Sequence, residues 1–261
     1  MKTKTQVTFD RIANEILVGL ILAELFLVTV YWFDIFSNGI FQPLHNLFDL
    51  DGEGNIPAWF SSAQLLTVAL AFLTHALRQP WRSRPSKGFF GLAAFVALYL
   101  SMDEAGQVHE QVTMWMGQKY VDWLPGYAGK HFWWVMIAVA LAVGLVQLLT
   151  VDLLNIWSKH QRFLRLVVLG ACIGLGGCMG METLGYKLLN GDRTTLLYKL
   201  EVTIEEFMEM FGATLILYAT LKLNQSLAIV RVRKDRRFIH RKPSFELSAF
   251  RTQATGLPRG D

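Results

Sequence analysis

LEVTIEEFMEMFGATLILYAT, residues 200–220, joins two kinds of sequence in one segment. Its second half is as apolar as a membrane-spanning helix, whereas its first half carries four glutamates: Glu201, Glu205, Glu206 and Glu209. A carboxylate that faces lipid near the bilayer centre costs about 2.5 kcal/mol or more, and less near the edge of the membrane. The segment therefore predicts a transmembrane helix whose acidic half has a function.

Apolar runs of membrane-spanning length recur along the whole chain. About 20 residues of α-helix are needed to cross the hydrocarbon layer of a bilayer. Six runs approach this length: 13–33, 58–77, 89–110, 132–150, 164–184 and 200–221. The prolines lie outside these runs or at their edges, as expected of residues that end helices. The sequence therefore predicts an all-α, polytopic membrane protein with a six-helix transmembrane domain over residues 1–223.

The basic residues predict how this bundle is oriented, because cytoplasmic segments are enriched in Lys and Arg. With the N-terminus inside, 20 of the 25 basic residues are cytoplasmic. Both termini of this multi-pass protein are then cytoplasmic.

Residues 224–261 form a predicted basic cytoplasmic tail, partly disordered because its end is polar. The segment VRVRKDRRFIHRK at 230–242 is expected to lie against anionic lipid headgroups. The net charge of +4 comes from this tail, so it does not indicate a nucleic-acid partner.

In this topology, acids from three predicted helices share the outer part of the membrane. Lys and Arg are absent from the outer halves of these spans, so a bound cation or protonation must compensate for the charge. Carboxylate oxygens with an occasional imidazole suit hard divalent metals, which favours iron, manganese or calcium over zinc. The predicted metal ligands are Asp103, Glu104, His109, Glu110, Glu205 and Glu209.

Helical geometry divides these candidates into subsets. At about 100° per residue, Asp103, Gln107 and Glu110 share one face of the third predicted helix, and Glu104 and His109 point away from that face. On the sixth helix, Glu201, Glu205 and Glu209 form a stripe, with Glu206 on its flank. The whole motif therefore cannot converge on one ion, although a subset can.

Three functions fit this pattern. In a membrane-embedded metalloenzyme, Glu182 or Glu206 would act as the general base. The same carboxylates would also suit a proton- or cation-coupled transporter, or a non-catalytic subunit or assembly factor. Glu24, near mid-membrane on the first span, distinguishes the first two functions. A polar track from Glu24 to the other acids would favour transport, and local pairing would favour a metal site that stands alone.

The loop before the second span is acidic as well. It reads FDLDGEGNIPAWFSS at 48–62, and Asp49, Asp51 and Glu53 match the first, third and fifth positions of an EF-hand loop. Phe60 stands at the twelfth position in place of the bidentate Glu, which excludes a complete EF-hand. An acidic turn before a helix, a partial calcium loop and a lid over the acids all remain open.

Glycines in the fifth run predict close helix packing. Gly170 and Gly174, and likewise Gly176 and Gly180, form two small-xxx-small pairs. Such pairs let a second helix approach closely.

Three stretches together resemble a family of uncharacterised bacterial integral membrane proteins. They are GEGNIPAWFSS, SMDEAGQVHE, which contains a DEAxxxHE-type segment, and EEFMEMFGATLILYA, which contains an EExxEMxG-type segment. The resemblance extends over most of the chain to about residue 222. The resemblance implies a multi-pass protein of a bacterial inner membrane and a shared site, without implying a reaction.

Overall fold

The computed structural model describes residues 4–37, 42–78, 87–108, 111, 150–181 and 194–239. In these residues every regular element is helical, as predicted. The helices are α1 (Lys4–Phe36), α2 (Gln42–Phe48), α3 (Ile56–Arg78), α4 (Lys87–Gly106), α5 (Gln161–Leu175) and α6 (Leu196–Ile239). A π-helical turn, Gly176–Met181, continues α5, and a helical segment at 150–159 precedes it.

Four segments of the described chain are long and apolar enough to cross a membrane: Asp10–Phe36, Ile56–Arg78, Lys87–Gly106 and Gln161–Met181. They coincide with the first, second, third and fifth predicted spans. Large apolar side chains lie on their outer surfaces, as lipid contact requires, and on α1 Phe33 is 64% exposed. These four helices support the prediction that the chain is a membrane protein.

The other two predicted spans have different outcomes. The span at 132–150 lies outside the described residues except for its last position. The span at 200–221 lies within α6 and is helical throughout, but α6 is not among the four apolar segments. The glutamates at its start and Lys222 near the other end lower its mean hydropathy. Six spans and cytoplasmic termini therefore stay predictions.

Polar contacts show that α1 and α6 run antiparallel. Near the start of α1, Asp10 accepts a 2.9 Å bond from Lys222 Nζ. Further along α1, Glu24 accepts a 2.6 Å bond from Thr214, which lies closer to the start of α6.

Helix α3 runs parallel to α6 and antiparallel to α4. Gln64 of α3 donates to Thr214 of α6 at 2.9 Å, and His75 of α3 contacts Asn224 of α6 at 2.6 Å. The hydroxyl of Ser62, near the start of α3, donates to the carbonyl oxygen of Ser101, near the end of α4, at 2.8 Å.

These directions bring four helix ends together. Helices α1 and α4 end there at Phe36 and Gly106, and α3 and α6 begin there at Ile56 and Leu196. We call this the acidic end of the bundle, and it corresponds to the predicted outer face. The apolar core lies towards the opposite end, where Phe90, Ile156 and Leu217 are almost completely buried.

The close contact predicted at the first glycine pair is confirmed. A Cβ atom added to Gly170 would lie 2.7 Å from the carbonyl oxygen of Gly212 on α6. A Cβ atom on Gly212 would in turn lie 2.8 Å from the backbone nitrogen of Gly174. The backbones of α5 and α6 therefore touch at this point, which only residues without side chains permit.

The second predicted pair packs differently. A Cβ atom on Gly176 would lie 3.3 Å from the side chain of Met208, and one on Gly180 would have no atom within 4 Å. Gly177 makes the close approach, because a Cβ atom there would lie 2.8 Å from the carbonyl oxygen of Glu205. Gly177 lies seven positions after Gly170, two helical turns on, and so falls on the same helix face as Gly170 and Gly174.

Helix α6 extends well beyond a membrane span. Its 44 residues correspond to about 66 Å of helix, against a hydrocarbon layer of about 30 Å. It continues through residue 223 to Ile239 without a break. The predicted division into residues 1–223 and 224–261 is therefore not marked by a helix end, and residues 240–261 lie outside the described chain.

Candidate cation site at the acidic end

Helix α4 ends inside the DEAxxxHE-type segment. The helix stops at Gly106, and Gln107 follows with a φ of 53°, in the left-handed region. Glycine has a low helix propensity, and a left-handed residue after the last turn is a common way for a helix to end. The predicted continuous helix to Glu110 is therefore wrong at this point. Asp103 lies before this interruption, and Glu110 lies outside the described residues.

Glu206 has acidic neighbours from three parts of the chain. Its carboxylate lies in electrostatic range of Glu209 on α6, Glu104 on α4, and Asp51 and Glu53 in the loop before α3. Of the residues singled out in the sequence, the structure thus brings Glu104, Glu206 and Glu209 into one neighbourhood. It adds two loop acids, which the sequence had left in a separate hypothesis. We call these five residues the acid cluster.

Asp51 connects the cluster to α1 and to the start of α6. The hydroxyl of Tyr198, in the first turn of α6, donates a 2.9 Å hydrogen bond to Asp51 Oδ1. The Tyr31 hydroxyl on α1 lies in electrostatic range of Asp51, Asp34, Asp49 and Tyr198. Asp51 is therefore the shared neighbour of the acids around Glu206 and those around Tyr31.

The loop itself is held by Asn55. Its amide nitrogen donates to the carbonyl oxygens of Asp49 and Gly52, at 2.6 and 2.7 Å, and its amide oxygen accepts a 3.2 Å bond from the backbone of Ala58. The last contact caps the first turn of α3. Gly54 has a φ of 70°, which favours glycine. The loop is an acidic turn that leads into a helix and also reaches the acids of α4 and α6.

Asp34 adds a buried carboxylate beside this neighbourhood. Its side chain is almost completely buried at the end of α1, and its Oδ2 atom lies 2.7 Å from Nδ1 of the half-exposed His45 on α2. Its Oδ1 atom is buried and has no hydrogen-bond partner among the described residues. His45 of α2 is thus part of the acidic end of the bundle.

The other predicted site residues have varied positions. Glu201 is buried at the start of α6, whereas Glu205 and Asp103 are partly buried. His109, Glu110 and Glu182 lie outside the described residues. Across the part of the chain that the structure describes, no three His, Cys, Asp or Glu side chains lie close enough together to hold one metal ion.

Glu24 pairs locally at the centre of the bundle. It is completely buried, and its Oε1 atom accepts bonds from Gln64 Nε2 at 2.8 Å and from Thr214 Oγ1 at 2.6 Å. Local pairing is the arrangement that favours a cation site that stands alone. Sequence reasoning missed Thr214, because a threonine in an apolar helix commonly bonds to its own backbone, as Thr203 does here.

A family model described as "Domain of unknown function (DUF8692)" matches residues 16–223. The chain belongs to this family. No curated protein and no solved structure matches the chain. The matched region contains α3, α4, α5, the acidic loop and the first half of α6, so every residue of the acid cluster lies inside the family's domain. This membership fits the resemblance to an uncharacterised family.

Proposed function

We propose that the chain is a multi-pass protein of a bacterial inner membrane that binds a divalent cation at the acidic end of its helix bundle. Calcium, manganese and iron are the candidate ions, because they accept carboxylate oxygens. The observation that supports this most directly is that Glu209, Glu104, Asp51 and Glu53, from three parts of the chain, all lie in electrostatic range of Glu206.

The electrostatics of the cluster favour a cation. Carboxylates close to one another at the end of an apolar bundle repel each other, and the repulsion is stronger than in water because the surroundings are less polar. A divalent ion between them replaces repulsion with attraction. Hard ions can also keep some of their water and contact carboxylates through it. The acids can therefore share an ion without all contacting it directly.

Asp34 provides a second, independent argument. A buried carboxylate oxygen without a hydrogen-bond donor is costly in a folded protein. Asp34 Oδ1 is such an atom in the described chain, and Asp34 and Asp51 are both in electrostatic range of the Tyr31 hydroxyl. A bound cation, or a water molecule of its hydration shell, would supply the missing partner.

His109 and Glu110, which lie outside the described residues, keep their predicted role as ligands in this proposal. Asp103 and Glu205 retain their predicted role as ligands. The catalytic form of the proposal assigns Glu206 or Glu182 as the general base for a water molecule that the cation activates.

Metal analysis of the purified protein tests the proposal. We expect near-stoichiometric calcium, manganese or iron by mass spectrometry in detergent-purified wild type, or uptake of one of these ions by the apoprotein in calorimetry. The Asp51→Asn/Glu206→Gln double variant should lose this binding. Glu15→Gln, an exposed acid at the opposite end of α1, is the matched control and should retain it.

Thermal unfolding gives a second readout. A ligand at one hundred times its Kd stabilises the folded state by about 2.7 kcal/mol, so the ion should raise the midpoint for wild type and the control only. A wild-type protein that binds none of the three ions, and whose unfolding midpoint none of them changes, would overturn the proposal.

A further inference from the structure

We propose that Glu24 is a proton-binding site: a neutral carboxylic acid that joins α1, α3 and α6 at the centre of the bundle. This site is separate from the acid cluster and does not depend on the cation proposed there. Its three participants are Glu24, Gln64 and Thr214, and all three are at least 97% buried.

The site has more buried hydrogen-bond acceptors than donor hydrogens. The Gln64 amide nitrogen has two hydrogens, which it directs to Glu24 Oε1 and Thr214 Oγ1. Thr214 has one hydroxyl hydrogen, which it donates to the same Glu24 oxygen. All three donor hydrogens are therefore used. Two buried oxygens, Glu24 Oε2 and Gln64 Oε1, have no partner among the described residues.

Both unmatched atoms are acceptors, so an ionised Glu24 leaves two acceptors and no donor. A proton on Glu24 Oε2 converts one of the two into a donor. The site then has one donor and one acceptor, which a small side-chain rotation or one bridging water can connect. One proton thus corrects the imbalance in hydrogen bonding.

The same proton removes a buried charge. The contacts that reach the Glu24 carboxyl come from the neutral side chains of Gln64 and Thr214. An isolated ion in such surroundings costs several kcal/mol even after the protein relaxes. The titratable groups nearest to this site along the three helices are Glu15 and Tyr31 on α1, His75 on α3, and Glu209, Tyr218 and Lys222 on α6. In the described structure, hydrogen bonds from Gln64 and Thr214 hold the Glu24 carboxyl, and no cationic side chain pairs with it.

A proton fits the site better than a sodium ion does. In a cation site, the lone pairs of Gln64 and Thr214 would point at the ion together with the carboxylate. Here the Gln64 amide nitrogen and the Thr214 hydroxyl both donate to Glu24 Oε1 instead. We infer that the second carboxyl oxygen carries the proton and that Oε1 is the carbonyl oxygen of the acid.

Infrared difference spectroscopy of the full-length protein in lipid tests this assignment. The wild type minus Glu24→Gln spectrum at neutral pH should show the carbonyl stretch of a protonated carboxylic acid, and this band should shift in heavy water. The Glu15→Gln variant, which alters an exposed acid on the same helix, should leave the band unchanged. Chelation of divalent metals should also leave it unchanged, so failure of the cation proposal would not affect this result.

Thr214→Val extends the test if Glu24→Gln does not fold. It removes one hydrogen bond to the carbonyl oxygen and should move the acid band to higher frequency. A difference spectrum that contains only carboxylate bands would overturn the proposal. So would an acid band that sodium abolishes, or one that Thr214→Val does not move.

Discussion

The phenolic hydroxyl of Tyr198 donates a 2.9 Å hydrogen bond to Asp51 Oδ1 and thereby holds the acidic loop against the first turn of α6. The acidic half of α6 therefore faces the loop at its first turn and Glu104 of α4 further along. This contact explains why a helix with an apolar second half has glutamates in its first half: they belong to a neighbourhood that three segments build together.

The hydrogen bond from Tyr198 to Asp51 should strengthen cation binding at the acid cluster. We expect Tyr198→Phe to weaken the binding of the ion at the acid cluster by roughly 3- to 100-fold, because a hydrogen bond to a charged group contributes about 1.5–3 kcal/mol and the loop can partly compensate. Calorimetric titration of the apoprotein measures the change. Tyr218→Phe is the control, since it removes a 3.1 Å bond to Asn14 at the opposite end of the bundle. Equal affinities for the two variants would contradict the role of Tyr198.

Backbone contact between α5 and α6 should make Gly212 intolerant of a side chain. A Cβ atom there would lie 2.6 Å from the carbonyl oxygen of Gly170, so the helices would have to separate. We expect Gly212→Ala to destabilise the protein by about 1–3 kcal/mol, measured by unfolding in mixed detergents.

Gly19→Ala is the matched control for this prediction. Gly19 lies inside α1, and a Cβ atom there would meet no atom within 4 Å in the described structure. Alanine has a higher helix propensity than glycine, so this variant should be neutral or slightly stabilising. A Gly212→Ala protein as stable as Gly19→Ala would show that α5 and α6 can move apart freely.

The ion pair between Asp10 and Lys222 should couple α1 to α6. Lys222 Nζ lies 2.9 Å from Asp10 Oδ1, and both side chains are about two-thirds buried. Arg11 and Glu15 form a 2.7 Å pair within α1 whose side chains are largely exposed. Double-mutant cycles on unfolding free energy should give about 1 kcal/mol for the first pair and about 0.3–0.5 kcal/mol for the second. Equal coupling energies would show that the interhelical pair does not fasten the two helices.

His160 should make the protein less stable in acid. Burial lowers the pKa of His160, and the nearby Lys159 lowers it further. The folded state binds a proton on His160 more weakly than the unfolded chain does. Neutral His160 therefore contributes its full share to the free energy of unfolding above the ordinary pKa of about 6.5, and this contribution is lost as the pH falls below that value. His160→Gln removes the titration. The unfolding midpoint of the variant minus that of wild type should therefore increase as the pH falls from about 7.5 to about 5.5. Parallel pH profiles would exclude this contribution.

Most of the helices are determined by residues that are close together in the sequence. The apolar runs predicted the four helices that are long and apolar enough to cross a membrane in the described chain. They did so because a membrane-spanning helix is one continuous run of about 20 apolar residues. The same holds for Gly170 and Gly174, since small residues four positions apart lie on one face of a regular helix. Depth along the bundle likewise follows from counting residues, which is why Glu104, Glu206 and Glu209 were expected at one level.

The composition of the site was decided by tertiary structure. The left-handed Gln107 ends α4 before the predicted span ends, and Gly177, which belongs to neither predicted glycine pair, makes a close contact with α6. Asp51 reaches Tyr198 across 147 positions, and Glu24 reaches Thr214 across 190. Periodicity describes one helix at a time, so the sequence by itself determined which segments are helical and how deep their acids lie. Which acids, hydroxyls and amides meet depends on how separate helices rotate and pack, and that is settled only when they bury their surfaces against one another.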